Sequence, residues 1–300
     1  MKNSIFWKLI GLLNFLLPSF IRRKYIRKQE FNVLSGNETL KKLKCEKCSF
    51  ARFGDGEISI LIGKKGPSFQ KSNSKLRKEL WDVFKSSNIL IGWPGSLNQI
   101  DGINDFWLKY RIKNFIQLLI LSREFNGILF GDSQITRPYI RNCKKFDKYH
   151  FDAYFDEVKN LFDGKDILII EGTKTRFGVG NDLLSKSRSI RRILVPSVNA
   201  SKKYLEILDL LKGTFNNSYL YLLACGPLAK ILVSDLAKRG EVAWDLGHLD
   251  IEYEWFVRGV KEKIPIPGKY VNETKVKFDK SKDIYINDKN YQSQIICEVK

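Results

Sequence analysis

Short apolar runs alternate along this chain with longer stretches whose apolar positions recur at helical spacing. Ser49–Phe53, Ile89–Gly92, Ile128–Phe130, Ile167–Ile170, Arg192–Val195, Tyr219–Ala224 and Val242–Trp244 read as strands. Between them Lys75–Lys85, Phe106–Arg123, Phe151–Phe162, Ser201–Leu211 and Leu228–Lys238 carry the three-to-four-residue period of amphipathic helices. Strands that alternate with helices predict an α/β domain, a Rossmann-like mainly parallel sheet flanked by helices. Ile167–Ile170 and Tyr219–Leu223 lack polar alternation, as central parallel strands covered on both faces do. From about Pro265 the chain turns Lys-rich and loses its period, with one candidate edge strand at Ile284–Ile286. The pattern divides the chain into residues 1–30, a domain over 31–265 and a Lys-rich extension over 266–300.

The amino end stands apart. Ile5–Ile21 is apolar except for Lys8, Asn14, Ser19 and its Gly and Pro positions, and Arg22-Arg23-Lys24 follow. That is short of the roughly 20 apolar residues a spanning helix needs. Pro18-Ser19-Phe20 does not supply a small-residue signal cleavage site. The segment predicts an N-terminal amphipathic helix lying in the interface, its basic flank on anionic headgroups. The alternative is packing on the domain's own core. Cytoplasmic localisation, peripheral at the inner face of the cell membrane, is the expectation.

Composition adds charge. The 300 residues hold 52 Lys and Arg against 33 Asp and Glu, a net charge of +19, which favours polyanionic partners. Residues 1–48 carry eleven of the basic residues and only three Glu. Five cysteines, an odd number, do not form a secreted disulfide framework. Cys45 and Cys48 make a lone CxxC without the four ligands of structural zinc, and read as free thiols at a helix end.

Candidate chemistry gathers where the strands end, since ligands of open α/β sheets bind outside the strands' carboxyl ends. Arg52-Phe53-Gly54-Asp55-Gly56-Glu57 places two carboxylates on a glycine-flanked turn, suited to a hard divalent ion bridging to phosphate. Arg52 suits a phosphate. The plainer alternative is a solvated turn with Glu57 at a helix start. Gly131–Tyr139 (GDSQITRPY) is a shaped loop carrying Asp132, Ser133, Thr136 and Arg137. Glu171–Leu183 (EGTKTRFGVGNDL) carries Lys174, Arg176, Asn181 and Asp182 but lacks a dinucleotide fingerprint, and no P-loop occurs. Cys225 and His150 read as structural. Leu246–Phe256 (LGHLDIEYEWF) packs His248, Asp250, Glu252 and Glu254 together. On a strand the acids share a face by twos, and on a helix Asp250 and Glu254 pair at i and i+4.

RFGDGE, GDSQITRPY, RFGVGNDL, the ACGP turn and GHLDIEYEW, in this order from about Phe50 to Trp255, together resemble the GT-D fold glycosyltransferases of bacterial surface-glycan and adhesin-glycosylation loci. The resemblance implies a GT-D type domain, a nucleotide-sugar donor (a UDP-sugar) and a divalent metal, Mn2+ or Mg2+. It implies metal contacts from Asp55 and Glu57, and donor contacts from Arg52, Asp55, Arg176, Asn181 and Asp182. It maps a histidine near the metal onto His248 and a catalytic base onto Glu254. The acceptor implied is a glycan, lipid-linked or glycoprotein hydroxyl.

Other classes compete. A metal-dependent phosphotransferase or phosphohydrolase would use the same acids. A nucleic-acid-binding protein would explain the charge, but no helix-turn-helix, RRM or zinc-finger signature appears, so no nucleic acid partner is expected. A Rossmann dehydrogenase or methyltransferase is weakened by the absent GxGxxG.

Overall fold

The computed structural model describes residues 4–25, 30–97, 105–214, 218–278, 283–285 and 287–300. Its strands are β1 (Asn32–Val33), β2 (Phe50–Arg52), β3 (Leu90–Trp93), β4 (Leu129–Asp132), β5 (Asp166–Gly172), β6 (Ser189–Val195), β7 (Leu220–Ala224), β8 (Val242–Asp245) and β9 (Ile295–Glu298). They form one nine-stranded sheet in the order β1-β4-β3-β2-β8-β7-β5-β6-β9. Each neighbouring pair is parallel. All seven expected strands are present. The short edge strands β1 and β9 add to them. Ile284 and Tyr285 form a turn, and Ile286 lies outside the described residues, so the edge strand of the tail is β9 instead.

Period-two alternation sorts the central strands. Leu168 and Ile170 of β5, with Tyr221 and Leu223 of β7, face one apolar cluster. Ile167 and Ile169, with Leu220 and Leu222, face the other. Both faces are dry, which explains the unbroken apolar runs. Truncating a side chain such as Ile169, fully buried, removes about 2–5 kcal/mol of stability.

The helices that matter here are α1 (Ser4–Leu16), α2 (Ser19–Tyr25), α4 (Asp55–Leu61), α5 (Ser74–Phe84), α6 (Asp105–Lys113), α7 (Phe115–Glu124), α10 (Leu228–Lys238) and α11 (Leu249–Val257); α3 (Gly36–Cys45), α8 (Lys148–Asn160), α9 (Tyr204–Lys212) and α12 (Lys289–Gln294) complete the set. The stretch Phe106–Arg123, one helix by its period, is two. Asn114 breaks it, its side-chain amide donating to the Tyr110 carbonyl at 2.9 Å.

Strands β1–β4 build one half of the sheet and β5–β9 build the other. The halves meet where β2 pairs with β8 through Phe50 and Trp244. This is a topological switch point, and the loops after β2 and β8 diverge there to leave a crevice at the carboxyl rim.

Candidate active site

A cleft of about 830 Å³ opens at that rim. Small-molecule sites commonly fall in this size range. Arg52, Asp55 and Glu57 reach it from the β2 side, and Asp245, His248 and Asp250 from the β8 side. The parallel sheet thus brings the Asp55/Glu57 turn and the His248 segment together, although almost two hundred positions separate them in sequence.

Charge in the cleft floor is paired in a fixed order. Arg52 donates from Nε to the Asp245 carbonyl at 2.6 Å and from NH2 to Asp245 Oδ1 at 3.0 Å. It also bonds Thr136 Oγ1. Lys230, buried at the start of α10, sits 2.9 Å from Asp245 Oδ2 and 3.0 Å from Glu57 Oε1. Burial opposes the Lys230 charge, but the two carboxylates overcome it and raise its pKa. Burial likewise opposes ionisation of Asp245, and Arg52 and Lys230 outweigh it, holding the carboxyl below its usual range. Glu57 Oε2 accepts the Gly54 N–H at 3.1 Å, the backbone bond of an N-terminal cap. Arg52 is therefore committed to Asp245, and Glu57 to Lys230 and its own helix start.

Asp55 differs. Its side chain is exposed in the first turn of α4. Enclosure by the cleft walls, and then the Glu57 charge, push its pKa up, while Arg137 and Arg141 pull it down. Among the described residues no three His, Cys, Asp or Glu side chains group as a metal cage. An Asp55 carboxylate with no side-chain partner among the described residues, two positions from Glu57, fits the sparser mode in which Mg2+ or Mn2+ takes one or two carboxylates and completes its shell with phosphates and water.

Leu246–Phe256 resolves into a turn that follows β8 and a helix. His248 occupies the N-cap position of α11, and Asp250, Glu252 and Glu254 all lie in the helix and are buried. Asp250 and Glu254 share a face and a cation: Lys269 Nζ is 2.7 Å from Asp250 Oδ2 and 3.0 Å from Glu254 Oε1. Asn181 bridges the same pair, donating to Asp250 Oδ1 at 2.8 Å and Glu254 Oε1 at 2.7 Å. Burial raises the Asp250 pKa against the pull of Lys269. For Glu254 burial is outweighed by Lys269, Asn181 and Arg258, and its pKa falls. Asp250 lines the cleft; Glu254 does not. Glu252 turns away and accepts the Tyr139 and Ile140 N–H groups at 2.9 and 2.8 Å, holding the GDSQITRPY loop.

His248 is kept neutral, its pKa driven well down by burial and then by Arg137, with Glu273 opposing. Its Nε2 lies 3.5 Å from Glu273 Oε1, and Arg137 NH1 donates to the same oxygen at 2.6 Å. Despite burial, the Arg137 guanidinium bonded to it and the nearby Lys263 hold the Glu273 carboxyl below its usual range. His248 Nε2, Glu273 Oε2 and Ser133 Oγ are buried with no hydrogen-bond partner among the described residues, and all three residues line the cleft. They are polar groups left over for a ligand.

The glycine-rich loop reaches the cleft through Gly172, Thr175 and Phe177, while its charged residues are held by contacts outside it. Arg176, in the left-handed region at φ 51°, donates to the Gly268 carbonyl at 2.7 Å and pairs with Asp283. Tyr285 and Tyr291 stack near its guanidinium. Asp182 bonds Lys159 at 2.7 Å and also Tyr253. Arg176, Asn181 and Asp182 all lie off the cleft wall, where Asn181 and the Gly178 N–H (2.9 Å) support Asp250 from behind.

Charged cleft or near-cleft residues that escaped the sequence reading include Arg141, Lys230, Lys263, Lys269 and Glu273. Arg141 lies just past the GDSQITRPY loop, and Lys230 left one signal, a lysine on the apolar stripe of Leu228–Lys238 immediately after a strand rim. Lys263, Lys269 and Glu273 sit in or near the aperiodic tail, which supplies no period to read.

A parallel sheet with paired acids and cations around a cleft at its switch point is the arrangement of an α/β enzyme's active site. The chain belongs to the GT-D fold glycosyltransferases: that family's model, "Glycosyltransferase GT-D fold", matches residues 50–274. It is 33% identical over 281 residues to "Probable glycosyl transferase Gly" of Streptococcus gordonii, covering 90% of this chain and 39% of that protein. It is 30% identical over 267 residues to "Glycosyltransferase GlyD" of Streptococcus pneumoniae serotype 4, covering 88% and 32%. The chain thus spans about a third to two fifths of the curated relatives it matches. Among solved structures, "The highly conserved domain of unknown function 1792 has a distinct glycosyltransferase fold" superposes with a TM-score of 0.82 at 34% identity, covering 94% of this chain and 100% of that one. "A New Glycosyltransferase (DUF1792) from Streptococcus sanguinis" follows at 0.76 and 32%, covering 90% and 100%. The chain has the GT-D fold of that family.

Proposed function

We propose that the chain transfers a sugar from a nucleotide donor, a UDP-sugar, to a hydroxyl of a bacterial surface glycan or glycoprotein. The observation that carries this reading is the juxtaposition, in one cleft, of the free Asp55 carboxylate and the cations Arg137 and Arg141 that act on it. That arrangement suits a diphosphate leaving group, whose charge a divalent ion held at Asp55, with Glu57 beside it once released from Lys230, would neutralise. Arg137 and Arg141 add fixed positive potential where charge develops on the departing diphosphate. His248, neutral at pH 7, offers Nε2 as a hydrogen-bonding group rather than a charge.

For the acceptor proton we assign Asp250 rather than Glu254. Asp250 lines the cleft and has a raised pKa, as a general base requires. Glu254 lies behind it and fixes Lys269 and Asn181, which makes it a positioning residue. We also read the protein as peripheral at the inner face of the cell membrane, on its net charge of +19.

The test is turnover of UDP-sugars and of simple phosphate esters with Mn2+, Mg2+ or EDTA. Release of UDP from a nucleotide sugar, lost in EDTA and in Asp55→Asn, is the expected result. Turnover of phosphate esters alone would move the site to phosphoryl transfer. Activity unchanged by EDTA would remove the metal.

A further inference from the structure

Helix α1 is fastened to the domain by the face that carries Trp7 and Asn14. Trp7 stacks on Trp81 of α5 with ring centroids 6.0 Å apart. Asn14, buried, accepts the Ile116 N–H at 2.9 Å and donates to Gln117 on α7. Gly11 lies between them at helical spacing, and a side chain there would start 3.2 Å from Gln117 Nε2. The opposite face is bare and apolar around one exposed lysine, Lys8: Ile5, Leu9, Leu12, Phe15 and Leu16, with Phe20 of α2, are between 57% and 84% exposed. A helix of a globular domain normally buries its apolar stripe and shows its polar one. Here large apolar residues face outward beside a single lysine while Asn14 is buried, and that apolar surface calls for a partner.

Length and shape exclude a simple span. The 13 residues of α1 reach about 20 Å, against a hydrocarbon core of about 30 Å. No single helix among the described residues is long and apolar enough to cross a membrane, and α1 and α2 meet at 107°. The last turn of α2 carries Arg22, Arg23 and Lys24, with Arg23 and Lys24 exposed. A second copy of this chain would bring the same cations against themselves, and two bodies of net charge +19 repel. An anionic bilayer satisfies both the apolar face and its basic border.

The docked pair adjoins the active site through one helix. Arg22 NH1 donates to the Ile112 carbonyl of α6 at 2.9 Å. The same helix contributes Phe106 and Trp107 to the cleft wall, where the Arg141 guanidinium lies 5.6 and 6.0 Å from their ring centroids. Nine residues of α6 measure about 14 Å, so the wall of the cleft stands within about a helix length of the docked surface.

We propose that the outer face of α1 and α2 docks on an anionic bilayer and, through α6, holds the wall of the cleft close to headgroup level, where membrane-borne acceptors present their sugars. The docking deepens the peripheral-membrane reading above, and it is independent of the transferase chemistry.

Co-sedimentation of the full chain with phosphatidylglycerol/phosphatidylcholine vesicles, against phosphatidylcholine alone, tests it. The parent chain should pellet with the anionic vesicles, and L9E/L12E should bind them at least tenfold more weakly. Leu205→Glu, at a similarly exposed apolar position elsewhere (70% exposed), should bind like the parent. Thermal melts should match, since Leu9 and Leu12 make no core. Hydrogen exchange on the vesicles should slow in peptides covering 5–25. A parent chain that stays in the supernatant overturns both the membrane reading and this face. Vesicle binding that survives L9E/L12E leaves the membrane reading standing and removes this face. A dimer in light scattering that L9E/L12E abolishes, with no vesicle binding, assigns the face to a second copy instead.

Discussion

Lys230 Nζ stands 3.0 Å from Glu57 Oε1, joining the first turn of α10 to the first turn of α4 across the seam of the sheet. The same ammonium reaches Asp245 at 2.9 Å, so one buried cation balances an acid from each half of the fold.

Lys230→Met removes that cation and leaves two buried carboxylates short of charge. Removing one partner of a buried pair costs about 3–5 kcal/mol. Urea unfolding should show a loss of that size, and a loss under about 1 kcal/mol would mean the network does not support the fold. Lys230→Arg keeps the charge and should recover part of the loss.

The acids of α11 separate by task. Asp250→Asn should lower kcat by about 10²–10⁴-fold, the usual contribution of a general base. Glu254→Gln keeps its hydrogen-bonding shape and should cost about tenfold or less. Single-turnover rates on both variants decide the point, and the reverse order of severity would return the base role to Glu254.

Two windows of pH dependence follow from the cleft. His248 is held neutral, with a pKa well below its ordinary 6.5. The unfolded chain therefore binds a proton that the native state refuses, and stability drops as pH falls below about 6.5. Glu273 is depressed from 4.5 to about 2, so its contribution is present above about 4.5 and fades as pH falls toward 2. Denaturant melts from pH 7.5 to 5 should show a slope that His248→Gln flattens. An unchanged slope in that variant would place the titration elsewhere.

Arg176 is a structural cation here. Arg176→Ala should destabilise the chain by about 2–4 kcal/mol through the loss of its Asp283 pair and the Gly268 carbonyl bond. The KM for the donor should move less than threefold. A donor KM raised tenfold in a variant of native stability would put Arg176 back at the ligand.

The sheet was legible in the sequence because buried parallel strands carry their own signature. Runs such as Ile167–Ile170 have apolar residues at every position, and both neighbouring layers need them. The rim motifs were legible for a related reason, since turns at strand ends use glycine beside polar residues. What the chain did not disclose was who holds whom. Arg52 and Glu57 look like free ligands on their loop, yet Asp245 and Lys230 neutralise them from across the seam. Glu254 and Asp250, one helical turn apart, look equivalent until the packing of Lys269 and the cleft wall separate them. Long-range ion pairs leave no local period, so sequence reading finds the charges without their partners.

The segment beyond residue 265 has a practical meaning. Its composition invites removal, yet it delivers Lys269 to Asp250, Glu273 to His248, Asp283 to Arg176 and the edge strand β9 to β6. A shortened protein ending at the apparent domain border would lose part of its cleft wall together with an edge of its sheet. Fragment design, fusion junctions and affinity tags should therefore leave the carboxyl-terminal stretch whole.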